Sequence, residues 1–280
     1  MLYNTFIHIP GIGKKSEQQI WDSGILSWED WHAPFPEILP EAKKRLISHY
    51  LPQIRDQQGR KPDCYGKLLP ANQHWRLFPH FRKTIAYFDI ETNGRLREEC
   101  EITTIALYDG HKIKTYTQGR NLEDFIDDIA GFEIIVTYNG KSFDVPVIES
   151  CLHTTLPQVH IDLRHILYNL GYRGGLKGCE QQLGIYRHDL EGVNGFFAVI
   201  LWQEYQRTGN EKILETLLAY NTADAVNLEC LLVHAYNLNI ADTPFRLSHY
   251  IPIPEKPISP YTPDPTIIAR LKNRIQSFRH

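Results

Sequence analysis

A short run of apolar and polar positions near residue 90 predicts the strand around which the chain is organised. Residues 84–88, Thr-Ile-Ala-Tyr-Phe, are mostly β-branched or aromatic, which favours a strand. The run continues through Asp89 and Glu91, and Asn93-Gly94 then signals a turn. Because strand side chains alternate between two faces, we expect Asp89 and Glu91 to point to the same side.

The pattern that follows predicts the rest of a sheet. Two strand-like runs, 101–108 and 112–116, flank Asp109-Gly110, a strong short signal for a hairpin. A helical stretch and two short apolar strands come next, at 121–129, 133–138 and 159–162. The sequence therefore predicts three antiparallel strands joined to a strand–helix–strand crossover, which is an α/β arrangement.

A second pair of polar residues lies in a helix near the end of this region. Residues 217–228 are strongly helical, and Tyr220 and Asp224 stand four positions apart on one face. The helix therefore presents a phenol and a carboxylate together.

A glycine-rich stretch, residues 171–178, interrupts the helices before it. Its spacing fits no phosphate-binding fingerprint. We favour a flexible connector that ends one helix and starts another over a loop that contacts substrate through Arg173 and Lys177.

The N-terminal segment contains a turn followed by positive charge. Gly11 and Gly13 permit close approach of the backbone, and the amides at a helix start can bind phosphate, with Lys14 and Lys15 adding charge. Residues 6–31 resemble a helix-hairpin-helix motif, with little room for a complete first helix. The resemblance implies phosphate binding by these four residues, and an ordinary tight turn is the alternative.

Composition places the chain among globular proteins, since 42% of its residues are hydrophobic. No apolar run is long enough to cross a membrane and no signal-peptide layout is present, so we expect a cytoplasmic protein without membrane contact. The five cysteines are scattered and form no Cys-x-x-Cys pair, which argues against a zinc site.

Charge is distributed unevenly along the chain. Residues 84–240 hold 12 basic and 22 acidic side chains, whereas residues 61–83 hold five and one. An acidic centre beside basic flanks fits a carboxylate metal site that acts on an anionic substrate, although many of these acids belong to a solvated surface. We predict a small helical appendage, a basic linker, the main domain and a proline-rich basic extension: 1–60, 61–83, 84–240 and 241–280.

Aromatic and basic side chains mix just before the organising strand. Core packing and stacking against nucleic-acid bases explain this mixture about equally well. The residues are Trp75, Arg76, Phe78, Phe81, Arg82 and Lys83.

Three short motifs carry the candidate chemistry. They are Asp89-x-Glu91, the stretch Tyr138-Asn139-Gly140-Lys141-Ser142-Phe143-Asp144, and Tyr220-x-x-x-Asp224. Their order and context over residues 84–238 resemble the tyrosine branch of the DEDD superfamily of 3′–5′ exonucleases. The layout is similar to a bacterial group of ribonuclease-H-like exonuclease domains. The resemblance implies a ribonuclease H-like α/β fold, in which helices flank a five-stranded mixed sheet.

The resemblance also implies roles for individual residues. Four acids would bind two divalent ions, Mg²⁺ or Mn²⁺, and three further residues would contact the terminal nucleotide. The acids are Asp89, Glu91, Asp144 and Asp224, and the nucleotide contacts are Thr92, Asn139 and Lys141. Tyr220 would orient the attacking water or help to deprotonate it, and we favour orientation because a phenol with a pKa near 10 is a poor base at neutral pH.

The expected function is hydrolysis of phosphodiester bonds from the 3′ end of single-stranded DNA or RNA, releasing nucleoside monophosphates. One alternative is a nucleic-acid-binding module of the same fold with weak or no nuclease activity. Another is an endonuclease that cuts hybrid duplexes. The complete set of acids argues against the first, and the tyrosine motif argues against the second. The choice between DNA and RNA stays open, because no motif indicates how closely the site fits around the 2′ position of the sugar.

Overall fold

A five-stranded mixed sheet forms the centre of the protein, in a computed structural model that describes residues 1–56, 61–96 and 99–277. The strands are β1 (Ile85–Thr92), β2 (Ile102–Tyr108), β3 (Ile113–Thr117), β4 (Ile134–Thr137) and β5 (Val159–Asp162), in the order β3-β2-β1-β4-β5. β2 pairs antiparallel with β1 and β3, and β4 pairs parallel with β1 and β5. The predicted mixed sheet with three antiparallel strands is confirmed.

Eleven α-helices are present in the described part of the chain. Before the sheet come α1 (Lys14–Asp22), α2 (Glu41–Asp56), α3 (Pro62–Leu68) and α4 (Phe78–Phe81). The others are α5 (Asp124–Ile129), α6 (Asp144–Cys151), α7 (Leu163–Asn169), α8 (Gly175–Gln182), α9 (Gly195–Thr208), α10 (Glu211–Ile240) and α11 (Pro265–Ser277). The predicted segments also include residues 57–60, 97–98 and 278–280, which lie outside the described residues.

Alternation along β1 determines which helices its side chains meet. Tyr87 packs into a hydrophobic cluster that contains much of α10, whereas Phe88 packs into a separate cluster with α5 and α6. Asp89 and Glu91 share the face of Tyr87, because their positions differ from it by even numbers. Both acids are therefore directed toward α10.

Helix α10 spans 30 residues and is mostly buried. It packs against β1, β2 and α9. A helix that is apolar on most sides belongs in a core, and the burial of α10 fits that rule. Its few polar side chains, which include Tyr220 and Asp224, must then find partners inside the protein.

The segment before β1 shares one hydrophobic cluster with the sheet. Trp75 and Phe78 are fully buried in that cluster, so core packing, rather than base stacking, explains them. Arg76 forms a buried ion pair with Glu17, with a distance of 2.7 Å between Nη2 and Oε2. Glu17 also accepts a hydrogen bond from the Thr5 hydroxyl. The N-terminal residues are thus bound to the chain just ahead of β1, and the division into four segments stays a prediction.

The predicted hairpin is a tight turn that leads into α1. Gly11 has a φ of +81°, a region in which other residues are strained. Gly13 caps the helix, and the side chains of Lys14 and Lys15 are exposed at its first turn. Within the described N-terminal residues, the stretch from 5 to 13 forms turns and bends, so a complete first helix of the motif is absent there.

Within the predicted C-terminal extension, residues 251–264 have no regular secondary structure, and α11 follows them. Ile267, Ile268 and Leu271 of α11 pack in one hydrophobic cluster with α9 and the first half of α10. Throughout the described ranges, no helix is both long and apolar enough to cross a membrane.

Candidate active site

Three carboxylates meet where β1 passes under α10. Asp89, Glu91 and Asp224 each offer an oxygen within 4.8 Å of the others. Asn221, which precedes Asp224 by three positions, donates from Nδ2 to Asp89 Oδ2 at 2.8 Å and to the Asp89 carbonyl at 3.0 Å. These bonds hold the helix and the strand in the register that brings the acids together.

Asp144 reaches the same place from the other side of the sheet. A tight turn after β4 positions it as the first residue of α6, and Asn139 in that turn has a φ of 69°. A Cβ at Gly140 would lie 2.2 Å from the Thr137 hydroxyl oxygen, so the turn requires glycine. Asp144 lines the cleft of the other acids but lies outside their 4.8 Å group.

The acids line an open cleft with a volume of about 380 Å³. Phe143 stands at its rim and is 43% exposed. The other lining residues are Asp89, Ile90, Glu91, Tyr138, Asn139, Asp144, Gly174, Leu176, Lys177, Asn194, Gly195, Tyr220 and Asp224.

Burial and mutual repulsion perturb these acids. Burial, followed by the charge of Asp224, raises the pKa of Asp89 and of Glu91 well above the ordinary values. Burial also raises the pKa of Asp144 to about 7, although hydrogen bonds from the backbone amides of Asp144 and Ile90 offset part of the effect. A divalent cation with a preference for oxygen ligands would relieve both penalties, so this donor set fits Mg²⁺ or Mn²⁺.

Lys177 enters the cleft from α8. Its Nζ donates to the Tyr220 hydroxyl oxygen at 2.7 Å and contacts the Val193 carbonyl oxygen. Burial, followed by the charge of Asp224, raises the pKa of Tyr220, so the phenol stays protonated at neutral pH. Residues 171–178 do connect two helices, as predicted, since α7 ends at Asn169 and α8 begins at Gly175. The connector interpretation did not place Lys177 in the cleft, which this residue lines from the first turn of α8.

A buried ion-pair network contacts Asp224 through residues that do not line the cleft. Arg187 contacts Asp224 Oδ1 through Nη1 and Glu180 Oε1 through Nη2. The side chains of Arg187, Glu180 and Asp224 are only 9%, 2% and 4% exposed. Asn227 donates to Glu180 Oε1 at 2.8 Å. Burial would lower the pKa of Arg187, but the charges of Asp224 and Glu180 raise it above its ordinary value.

Comparison with known families gives a match to the RNase_H superfamily over residues 86–236. That span begins in β1 and ends in α10, so it contains the sheet and every residue of the acidic cleft. The chain belongs to the RNase H superfamily. The ribonuclease H-like fold predicted from the sequence is confirmed by this match and by the five-stranded sheet.

Among solved structures, this RNase H superfamily protein is similar to a family B DNA polymerase from the hyperthermophilic archaeon Pyrobaculum calidifontis. The two chains are 14% identical, with a TM-score of 0.36. The similarity covers 64% of this chain and 31% of the polymerase chain. No curated protein matches the chain significantly.

The residues predicted to contact nucleic acid are divided between the cleft of the RNase H domain and other places. Of the described candidates for nucleotide contact, Asn139 lines the cleft, and Thr92 and Lys141 do not. Asn139 Oδ1 accepts from the Ser142 hydroxyl at 2.9 Å and contacts Arg164. The four hairpin residues, all in the N-terminal segment, are also outside the cleft lining.

Sequence reasoning missed Glu180, Arg187 and the supporting asparagines of α10. One signal was present for the helix, since Asn221, Asp224 and Asn227 form a polar stripe at intervals of three in an otherwise apolar run. Arg187 follows α8 and has no such periodic signal, because its position depends on tertiary packing.

Proposed function

We propose that this protein is a metal-dependent 3′–5′ exonuclease that hydrolyses single-stranded DNA or RNA to nucleoside monophosphates. The observation that carries the proposal is the meeting of Asp89, Glu91 and Asp224 in one open cleft beside Tyr220. Membership of the RNase H superfamily supports nuclease chemistry for such a cluster. The tyrosine one turn before Asp224 supports the exonuclease branch, because its spacing matches the motif that the sequence resembles.

The proposed cofactor is a pair of divalent ions, Mg²⁺ or Mn²⁺, held by Asp89, Glu91, Asp144 and Asp224. Asp144 is included because it lines the same cleft and its carboxyl group lies close enough to influence Asp89. The chemistry that such ions supply is activation of water and stabilisation of the attacking and leaving oxygens.

The side chains of the protein supply positioning in the proposed reaction. Tyr220 keeps its proton, so it acts as a hydrogen-bond donor to water or to a phosphate oxygen and not as a base. Lys177 holds the phenol and adds positive charge that attracts the phosphate group. Asn139, fixed by Ser142 and Arg164, is the predicted nucleotide contact that lines the cleft among the described residues.

The N-terminal hairpin is proposed to bind the backbone of longer strands. Gly11 and Gly13 form a turn whose following amides and exposed Lys14 and Lys15 suit phosphate. Such contacts add affinity that does not depend on sequence and that weakens with salt.

A single strand labelled at its 5′ end tests the proposal. Incubation with Mg²⁺ or Mn²⁺ should give a ladder that shortens by one nucleotide at a time, and chelator should abolish it. Matched DNA and RNA strands would reveal the preferred sugar. Internal cuts would point to an endonuclease, and binding without products would point to a module that lacks catalysis.

A further inference from the structure

Asp224 already has a positive partner in the protein, and this partner is not among the residues that line the cleft. The Arg187 guanidinium contacts Asp224 Oδ1, and both side chains are more than nine-tenths buried. Asp89 and Glu91 form no ion pair in the described chain. Of the three clustered acids, Asp224 is therefore the one whose charge is balanced from within.

The guanidinium is shared between two acids. Glu180 Oε1 forms an ion pair with the other terminal nitrogen of Arg187, Nη2, and also accepts a hydrogen bond from Asn227 at 2.8 Å. Arginine stays charged at any pH at which proteins fold, so it cannot release Asp224 by losing a proton. Arg187 can release Asp224 only by moving, and its ion pair with Glu180 would keep the guanidinium bound after that movement.

We propose that Arg187 is the counter-ion of Asp224 in the metal-free enzyme and that it competes with a divalent cation for this carboxylate. Glu180 sets the outcome of the competition by holding the guanidinium on the side away from the cleft. The inference rests on the proposed metal-dependent function. It adds a residue pair that determines how much cation the enzyme needs.

Two substitutions move the competition in opposite directions. Of the ion pairs that Arg187 forms in the described chain, Glu180→Gln leaves only the one with Asp224, so a cation should bind more weakly. Replacing both partners, Glu180→Gln with Arg187→Gln, keeps the net charge of the region and frees Asp224, so a cation should bind more tightly. Each change should be on the order of tenfold in the dissociation constant, which corresponds to about 1.4 kcal/mol.

The measurement is calorimetric titration of the full-length, substrate-free protein with Mn²⁺. Arg173→Gln is the matched control, because Arg173 stacks on Tyr168, with its guanidinium carbon 3.4 Å from the ring centroid, and contacts none of the clustered acids. It removes a positive charge without freeing a metal ligand, and its dissociation constant should equal that of the wild type. Thermal unfolding in chelator checks that each variant is folded.

The expected order of affinity is double variant, then wild type, then Glu180→Gln. Equal dissociation constants in all three would overturn the inference and leave Arg187 as a structural residue. Weaker binding by the double variant would also overturn it, since Arg187 would then hold Asp224 in place for the cation. If the double variant does not fold, Glu180→Gln decides alone, and unchanged binding counts against the inference. A wild-type protein that binds no Mn²⁺ would instead contradict the proposed function itself.

Discussion

Lys177 Nζ donates a hydrogen bond to the Tyr220 hydroxyl oxygen at 2.7 Å, and this bond determines that the phenol's own proton is directed to a different partner. An ammonium group can only donate, so the Tyr220 oxygen is the acceptor and its own proton points elsewhere. Burial and the neighbouring acids raise the pKa of Tyr220, which keeps that proton in place. The tyrosine is therefore arranged to donate a hydrogen bond within the cleft.

Removal of either partner should lower turnover by a similar amount. Tyr220→Phe deletes the hydroxyl and keeps the ring, and Lys177→Met deletes the ammonium and keeps most of the stem. Each should reduce kcat by roughly 10- to 100-fold, and the double variant should be little worse than either, because the two groups act as a unit. Single-turnover kinetics with a saturating strand measures this. Unchanged turnover in Tyr220→Phe, under conditions where chemistry limits the rate, would reduce Tyr220 to a core residue.

Two acids of the cluster should respond differently to neutralisation. Asp89→Asn relieves repulsion and can keep the bond from Asn221, so the metal-free protein should become more stable. Asp224→Asn removes a partner of Arg187, so the metal-free protein should become less stable. Both should lower activity by roughly three orders of magnitude or more. Thermal unfolding in chelator distinguishes them, and equal shifts of the same sign would contradict the assigned partners.

The raised pKa of Asp144 predicts a pH dependence of stability. The pKa of Asp144 in the folded protein, about 7, lies above the ordinary 3.8. The protonated carboxyl group therefore contributes its full stabilisation of the folded state below about pH 4, and this contribution is lost as pH rises through 7. Asp144→Asn does not titrate, and in chelator it should therefore gain stability relative to the wild type across that range. Buried His8 and His160, whose pKa values are lowered to about 3 and about 4 by burial, titrate with the opposite sign. Both histidines are present in the variant and in the wild type, so their contributions cancel in the difference between the two free energies of unfolding. A difference that does not change with pH would contradict the assignment.

Local rules predicted the sheet and the pairing of side chains within each element, whereas the convergence of the acids in one cleft was predicted from the resemblance to the exonuclease family. Alternation alone placed Asp89 and Glu91 on one face, and helical spacing placed Tyr220 with Asp224. The role of Arg187 did not follow, because it depends on how α8 packs against α10.

The aromatic and basic residues before β1 were ambiguous for a related reason. Composition does not report burial, and Trp75 and Arg76 would suit a nucleic-acid surface as well as a core. The burial of Trp75 and the ion pair between Arg76 and Glu17, which lies 59 residues earlier in the chain, decide for the core at these two positions.

The N-terminal hairpin should affect long substrates and not short ones. Lys14→Ala with Lys15→Ala should raise the Michaelis constant on long strands and reduce the slope of its salt dependence by up to about two units. A strand of a few nucleotides should be degraded at the wild-type rate. Lys112→Ala, which removes an exposed lysine from the β2–β3 turn, is the control and should change neither. Equal losses on short and long strands would mean that the hairpin shapes the fold or the cleft.

The most direct test of the central claim follows the label at each end of one single strand. With Mn²⁺ present, a label at the 3′ end should leave at once as a mononucleotide, while a label at the 5′ end should remain on strands that shorten stepwise. Asp89→Asn should stop both processes, because it removes one of the clustered carboxylates. Early release of the 5′ label, internal fragments, or full activity of Asp89→Asn would contradict a metal-dependent 3′–5′ exonuclease at this cleft.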